Sequence, residues 1–240
     1  TTSIACYGFD NGQATAINVG GGVGSYKYSI DGGAFSTSST FNNITPGNYG
    51  DHFITIKDSK NCEYKFDFGI FEPDTLEFTS IVVSDVLCYD GNDGAINIEI
   101  QGGTGGYSYV WSNTTTTQDV NSLITGNYTV TVADNRNCKI FMSRLVDQPD
   151  SMQYTMTTTP ASCKGYNDGT AKVQVNSGGT TPFTYKWNTT PPQTNATANG
   201  LNAGSYEVTV RDANNCERVG SIVVAEPEPL IVAITNVDSV

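Results

Sequence analysis

Few side chains in this chain can do chemistry, and those that can recur. Cysteines stand at Cys6, Cys62, Cys88, Cys138, Cys163 and Cys216. None falls in a Cys-x-x-Cys pair, which argues against zinc-ribbon and thioredoxin chemistry. Two trios of carboxylates accompany them. Asp10, Asp93 and Asp168 follow the first cysteine of each pair, and Asp58, Asp134 and Asp212 precede the second. Paired carboxylates with turn carbonyls can hold Ca²⁺. In isolation the same residues make Asx-turns, in which a side chain bonds its own backbone. The copies exchange Asp10-Asn11 for Asn92-Asp93 and Asn167-Asp168, which a turn tolerates and a strict ligand set does not. Calcium is therefore the one cofactor these residues allow. One histidine and no Gly-x-Ser-x-Gly elbow leave no serine or cysteine triad, and the expectation is that the chain is not an enzyme.

The elements that position these residues form a repeat. The first cysteines of successive pairs are 82 and 75 residues apart, the second ones 76 and 78. Glycine turns recur at Gly20-Gly21-Gly22, Gly102-Gly103 and Gly178-Gly179. A corner recurs as Ile44-Thr45-Pro46-Gly47-Asn48-Tyr49, Leu123-Ile124-Thr125-Gly126-Asn127-Tyr128 and Leu201-Asn202-Ala203-Gly204-Ser205-Tyr206. Each copy closes on Glu72-Pro73, Gln148-Pro149 or Glu226-Pro227. Self-similarity on this scale marks an array of small modules. The expected boundaries are 1–74 for a first copy lacking most of its first strand, 75–150, 151–228, and 229–240 as the first strand of a further copy.

Within a copy the pattern is all-β. Ile96, Ile98 and Ile100 alternate with polar residues, as do Tyr128, Val130 and Val132, and as do Ala171, Val173 and Val175. Short alternating runs between Gly/Asn/Asp turns predict tandem immunoglobulin-like antiparallel β-sandwich modules in an elongated array. Trp111 and Trp187 on the third strand and the Leu-x-x-Gly-x-Tyr corner fit such a core. Strict up-and-down alternation of the strands would bring the two cysteines of a copy to one end. That predicts disulfides Cys6–Cys62, Cys88–Cys138 and Cys163–Cys216, each stapling a module whose core is marginal for its size. In the first copy, His52 falls where the other copies place the corner tyrosine, so Tyr49 and His52 compete for that place. The second strand of the first copy also loses phase at Ile17 and Val19, as a bulge would cause.

Charge narrows the partners. Twelve basic against 24 acidic residues give a net charge of −12, which disfavours nucleic acid and anionic membranes. No apolar run is long enough to span a bilayer. Thr1-Thr2-Ser3-Ile4 has neither the basic start nor the apolar run of a signal peptide, and is read as a start inside a longer protein. The glycine turns precede no helix, so they are not phosphate cradles.

The order of landmarks resembles the SprB-type repeat of giant adhesins on gliding Bacteroidetes. The shared pattern is a cysteine, an Asp/Asn/Gly turn, an alternating strand, Gly-Gly, an aromatic-x-aromatic-x-Trp strand, Leu-x-x-Gly-x-Tyr, an Asp before Asn-Cys, and Gln/Glu-Pro. The resemblance implies type IX secretion, display on the outer cell surface, and gliding and secretion machinery as partners beside other repeats of the array. It supplies no catalytic residue. Asp74-Thr75 and Asp150-Ser151 resemble the O-glycosylation acceptor of the same bacteria, with Thr75 and Ser151 as acceptors. Two functions fit: a semi-rigid stalk, each module roughly 30–40 Å long, or repeats that bind polysaccharide or surfaces multivalently. The third-strand aromatics Tyr26/Tyr28, Tyr107/Tyr109 and Phe183/Tyr185 would be the binding strip if exposed, and a core edge if not.

Overall fold

A computed structural model describes residues 1–233. Among the described residues the regular structure consists of strands, with no helix. Module 1 holds β1 (Gly12–Thr15), β2 (Lys27–Ile30), β3 (Thr40–Ile44), β4 (Gly47–Lys57) and β5 (Glu63–Ile70). Module 2 holds β6 (Asp74–Ser84), β7 (Gly94–Gly103), β8 (Ser108–Trp111), β9 (Val120–Leu123), β10 (Gly126–Ala133) and β11 (Lys139–Val146). Module 3 holds β12 (Gln153–Thr159), β13 (Gly169–Ser177), β14 (Thr184–Trp187), β15 (Thr197–Leu201), β16 (Gly204–Arg211) and β17 (Glu217–Val224).

Each complete module is two three-stranded antiparallel sheets. Module 3 pairs β12-β13-β15 and β14-β16-β17, and module 2 repeats this as β6-β7-β9 and β8-β10-β11. The two sheets close on one core. In module 3, Ala171, Val173, Ala198 and Leu201 of one sheet pack with Trp187, Val208, Val210 and Val224 of the other. Ala171, Val173, Val208 and Val210 are buried as the alternation requires, Val175 is half-buried, and Lys172, Gln174 and Glu207 are exposed. Trp187 is fully enclosed and its indole N–H donates to Asn195 O at 2.9 Å. Trp111 repeats the bond to Thr117 O. Module 1 lacks a tryptophan, and Ile4, Ala14, Ile44, Ile54, Phe68 and Ile70 make its core.

Packing divides the chain into two compact units. One comprises residues 1–83, 96–120 and 127–145; the other comprises 84–95, 121–126 and the chain from 146 onward. The first unit thus includes the turn between β10 and β11 together with module 1. The second includes the loop between β6 and β7 together with module 3.

Two open points of module 1 are settled. His52, not Tyr49, fills the corner. The ring is buried with Nε2 3.0 Å from Thr45 O, while Tyr49 is exposed. In module 3 the Tyr206 hydroxyl donates to Asn202 O at 3.1 Å, the equivalent carbonyl. The bulge of β1 lies between Gly12 and Ala14, ahead of the expected place. β1 then stops at Thr15, and Ile17 is exposed. Of the expected following strand 229–240, residues 234–240 lie outside the described residues; Leu230, Ile231 and Val232 are exposed and outside any strand.

Candidate functional site

The cysteines sit in two kinds of loop, and each loop is held by side chains that recur in every copy. The first-cysteine loop joins the first and second strands. The N–H just before each cysteine is donated to an Asx side chain: Ala5 N to Asn11 Oδ1 at 3.1 Å, Leu87 N to Asp93 Oδ1 at 3.1 Å, and Ser162 N to Asp168 Oδ1 at 2.9 Å. The Ser162 hydroxyl adds a second bond to Asp168. That hydroxyl and the Ser162 N–H hold the Asp168 carboxyl below its ordinary range. The N–H two residues after the cysteine goes to the side chain of the closing motif: Gly8 N to Glu72, Asp90 N to Gln148 and Gly165 N to Glu226, at 2.8, 2.9 and 2.7 Å. The Glu/Gln of Glu/Gln-Pro therefore ties the loop to the end of the last strand of its own module. Sequence reading missed this role, although the residue recurs in all three copies.

The second-cysteine turn follows β4, β10 and β16. Asp58, Asp134 and Asp212 are buried there and serve as its organising acceptors. One oxygen of Asp134 accepts Thr104 N and Oγ1, both at 2.9 Å, from the glycine turn. The other accepts Arg136 N and Cys138 N at 2.9 Å. Asp58 does the same with Val23, Lys60 and Cys62, and Asp212 with Thr180, Asn214 and Cys216. Donation by Cys62 N–H and Val23 N–H outweighs desolvation and lowers the Asp58 pKa. For Asp134, burial pushes upward but the bonds from Cys138, Thr104 and Arg136 prevail, and the pKa is lowered. Asn61, Asn137 and Asn215, just before the cysteine, carry φ of 64°, 64° and 66°, a left-handed geometry that Asn tolerates better than most residues.

These bonds place the second-cysteine turn beside the glycine turn, and the first-cysteine loop beside the closing motif at the other end of the module. The expected pairing within each copy is therefore wrong. The bonds are Cys6–Cys138, with Cα atoms 5.6 Å apart, and Cys88–Cys216, at 5.4 Å. Cys62 and Cys163 are free and exposed, so neither Cys6–Cys62, Cys88–Cys138 nor Cys163–Cys216 forms. The reason is one extra traverse. β15 is antiparallel to β13 and β16 is antiparallel to β14. β14 and β15 thus run the same way, and residues 188–196 carry the chain back along the module between them. Strict alternation fails at this step, and the two cysteines of a copy part.

Each disulfide instead joins the first cysteine of one copy to the second cysteine of the next. Around Cys6–Cys138, Arg136 Nη1 donates to Ile4 O at 2.6 Å, and Cys138 Sγ lies 3.2 Å from Ala5 O. Around Cys88–Cys216, Cys216 Sγ lies 3.4 Å from Leu87 O. A groove of about 410 Å³ adjoins the second bond, with Asp90, Ser151, Asp212 and Arg218 in its walls.

Within a copy, the same geometry separates the two kinds of aspartate. In module 3, Asp168 is bonded in the first-cysteine loop and Asp212 beside the glycine turn at the opposite end; Asp58 likewise lies at the far end of module 1 from Asp10. Asp10 is exposed, and Asn11 takes the place that Asp93 and Asp168 hold. The two aspartates of a copy expected side by side therefore lie at opposite ends of it. The third-strand aromatics are half-buried. The Tyr26 hydroxyl donates to Gly21 O, and that of Tyr107 donates to Gly102 O. Thr75 is exposed, whereas Ser151 is half-buried with Arg218 Nη1 at 3.3 Å from its hydroxyl.

The family model named SprB repeat matches residues 1–35, 80–116 and 155–192. The chain carries three SprB repeats. Each match spans a first-cysteine loop, the second strand, the glycine turn and the third strand; the second cysteines lie beyond it. No curated protein matches the chain significantly. Among solved structures, the SprB repeat chain is similar to three N-terminal domains of the Hoc capsid protein of bacteriophage RB49. Identity is 13%, covering 93% of this chain and 97% of that one, with a TM-score of 0.41. It is also similar to the titin I-band fragment I67-I69, at 13% identity over 90% and 87%, TM-score 0.37. Likenesses this distant carry no argument; the fold of the SprB repeats rests on their own sheets.

Proposed function

We propose that this chain is a load-bearing segment of a large secreted adhesin on the outer cell surface, serving attachment and gliding motility as a semi-rigid stalk. One observation carries the reading: successive repeats are tied by a disulfide in addition to the peptide junction. A tie between copies resists separation and bending at a junction, which a stalk needs and an isolated binding module does not. Disulfides also fit an oxidising, extracellular setting, and the SprB repeat match supports the cell-surface assignment. Glycosylation at the exposed Thr75 is compatible with this role. Secretion by the type IX route belongs to the same proposal.

The multivalent-binding alternative loses its surface. The strip expected to bind is half-buried and bonded to its own turns. Exposed aromatics recur in two copies at most: Tyr7 and Tyr89 directly follow the first cysteine, and Phe9 and Tyr166 stand three residues after it. Phe141 of β11 is exposed, but Lys65 of β5 and Val219 of β17 stand in its place in the other copies. The experiment is retention of the folded, oxidised chain on a panel of polysaccharides and abiotic surfaces, with and without calcium. A stalk passes through unretained. Saturable retention on one class overturns the stalk reading and makes the repeats the adhesive.

A further inference from the structure

The two ties between repeats are not equivalent. In the first, Cys138 is 8% exposed and Cys6 is half-buried. Arg136, two residues before Cys138, reaches across to Ile4 O at 2.6 Å, and Ile4 belongs to the core of module 1. One cysteine of this tie is thus out of solvent, and an arginine fastens the same two segments without the sulfurs. In the second, Cys88 and Cys216 are both half-buried, and both stand in the wall of the groove of about 410 Å³. Asn214 holds the place of Arg136. Its side chain does not cross the junction: Nδ2 donates to Thr180 Oγ1 at 3.2 Å, in the glycine turn of its own module.

The charge around the second tie differs as well. Arg218, two residues after Cys216, lies in the groove wall with Nη1 3.3 Å from Ser151 Oγ. Copy two has Ile140 at that position. A cation near a cysteine favours the thiolate, the form in which a sulfur leaves when its disulfide is attacked. The exposed carboxylates of Asp90 and Asp150 also line the groove, and Glu217 there is paired with Arg211. These carboxylates repel an anionic thiol and leave access to an uncharged one.

We propose that Cys88–Cys216 is a redox switch addressed through this groove by an uncharged dithiol, and that Cys6–Cys138 is a permanent tie. One thiolate of the dithiol attacks a sulfur of the bond. The S–S bond breaks, and the other cysteine leaves as thiolate and takes up a proton. The second thiol of the reductant then displaces the mixed disulfide, so both cysteines end as thiols and the dithiol as a disulfide. Modules 2 and 3 are then joined covalently by the peptide junction alone, while modules 1 and 2 keep their cross-tie. The use of such a switch rests on the stalk reading; the difference between the two bonds does not.

The test uses the whole oxidised chain. Cys62 and Cys163 are first blocked with N-ethylmaleimide. Dithiothreitol is then added for increasing times, and the thiols released are trapped with iodoacetamide and mapped by mass. Cys88 and Cys216 should be released together, at least about tenfold faster than Cys6 and Cys138, because exchange follows access to the sulfur. Equal rates, or release of Cys6 and Cys138 first, overturn the proposal. Exchanging the two side chains tests the cause. Arg136→Asn should speed release of Cys6 and Cys138, and Asn214→Arg should slow release of Cys88 and Cys216. Both positions are exposed, so the modules keep their folds. If neither rate moves, the crossing arginine is not what guards the first tie, and that part of the proposal is overturned. No load and no surface enters the measurement, so its outcome is separate from that of the stalk reading.

Discussion

Cys6 and Cys138 are 132 residues apart in sequence, yet they are bonded across the junction of successive repeats rather than within one. Cys88 and Cys216 repeat the relationship at a separation of 128. In the chain-entropy picture, rings of this size each contribute about 5 kcal/mol. Because the order along the chain is Cys6, Cys88, Cys138, Cys216, the two rings overlap, and module 2 belongs to both.

Proteolysis without reduction, followed by mass mapping, should return the peptides of Cys6 with Cys138 and of Cys88 with Cys216. Alkylation before reduction should label Cys62 and Cys163 alone. Recovery of Cys88 with Cys138 would restore the staple within one copy and remove the basis for cross-tied repeats.

The strands, their core residues and the antiparallel all-β fold were legible in the sequence because alternation, turn residues and repetition are local signals. Ile96 and Ile98, Val130 and Val132, and Trp111 are buried as their spacing requires. The disulfide partners were not legible, because pairing depends on which end of a module each loop occupies. That depends on the direction of β15, which no local pattern reports. Nor does any side chain on 188–196 announce that the segment runs the length of the module. The roles of Asp134 and Gln148 had a signal, recurrence at a fixed distance from a cysteine. Recurrence alone does not distinguish an acceptor for backbone N–H groups from a metal ligand; the positions of the partners do.

Acid should weaken the modules through the second-cysteine turn. The carboxyls of Asp58 and Asp134 are held below their ordinary range in the folded chain. A depressed folded pKa stabilises above the unfolded value, near 3.9. That contribution is lost as the pH falls through the folded pKa. Stability should thus be flat above about pH 5 and fall below about pH 4. Asp134→Ala should remove part of this acid dependence. At neutral pH it should cost about 2 kcal/mol, because the buried N–H of Cys138 and the partly buried N–H groups of Thr104 and Arg136 lose a charged acceptor. Tryptophan fluorescence against urea at several pH values reads both effects. An unchanged acid profile in the variant would show that Asp134 does not hold the turn.

Gly178 should not tolerate a side chain. Its φ is +70°, and a Cβ would meet Ser151 O at 2.4 Å, where the first strand of module 3 begins. Gly200 has φ +64° but nothing closer than Asn167 O at 3.5 Å. Both substitutions to alanine carry the left-handed penalty of about 1–3 kcal/mol. Gly178→Ala must in addition push the strand away, so its loss in urea unfolding should exceed that of Gly200→Ala. Equal losses would mean that the approach of Ser151 to Gly178 is loose.

Cross-tied repeats should respond to force in a way that a simple string of domains does not. With both disulfides intact, a pull applied at the two ends follows the shortest covalent route. That route runs from residue 1 to Cys6, crosses to Cys138, returns to Cys88, crosses to Cys216 and continues to residue 240. It contains about 80 residues of backbone, and at about 3.4 Å per residue it extends to roughly 270 Å. Reduction opens the whole chain of 240 residues, roughly 820 Å. Single-molecule extension should therefore lengthen about threefold on reduction. The route also runs backwards through module 2 between Cys138 and Cys88, so load bypasses most of modules 1 and 3 and falls on the module that both rings share. Cys88→Ser opens one ring and should give an intermediate extension, with module 3 now unfolding under load. Equal lengths with and without reductant would show that the ties do not carry force, and the stalk would then owe its stiffness to the peptide junctions alone.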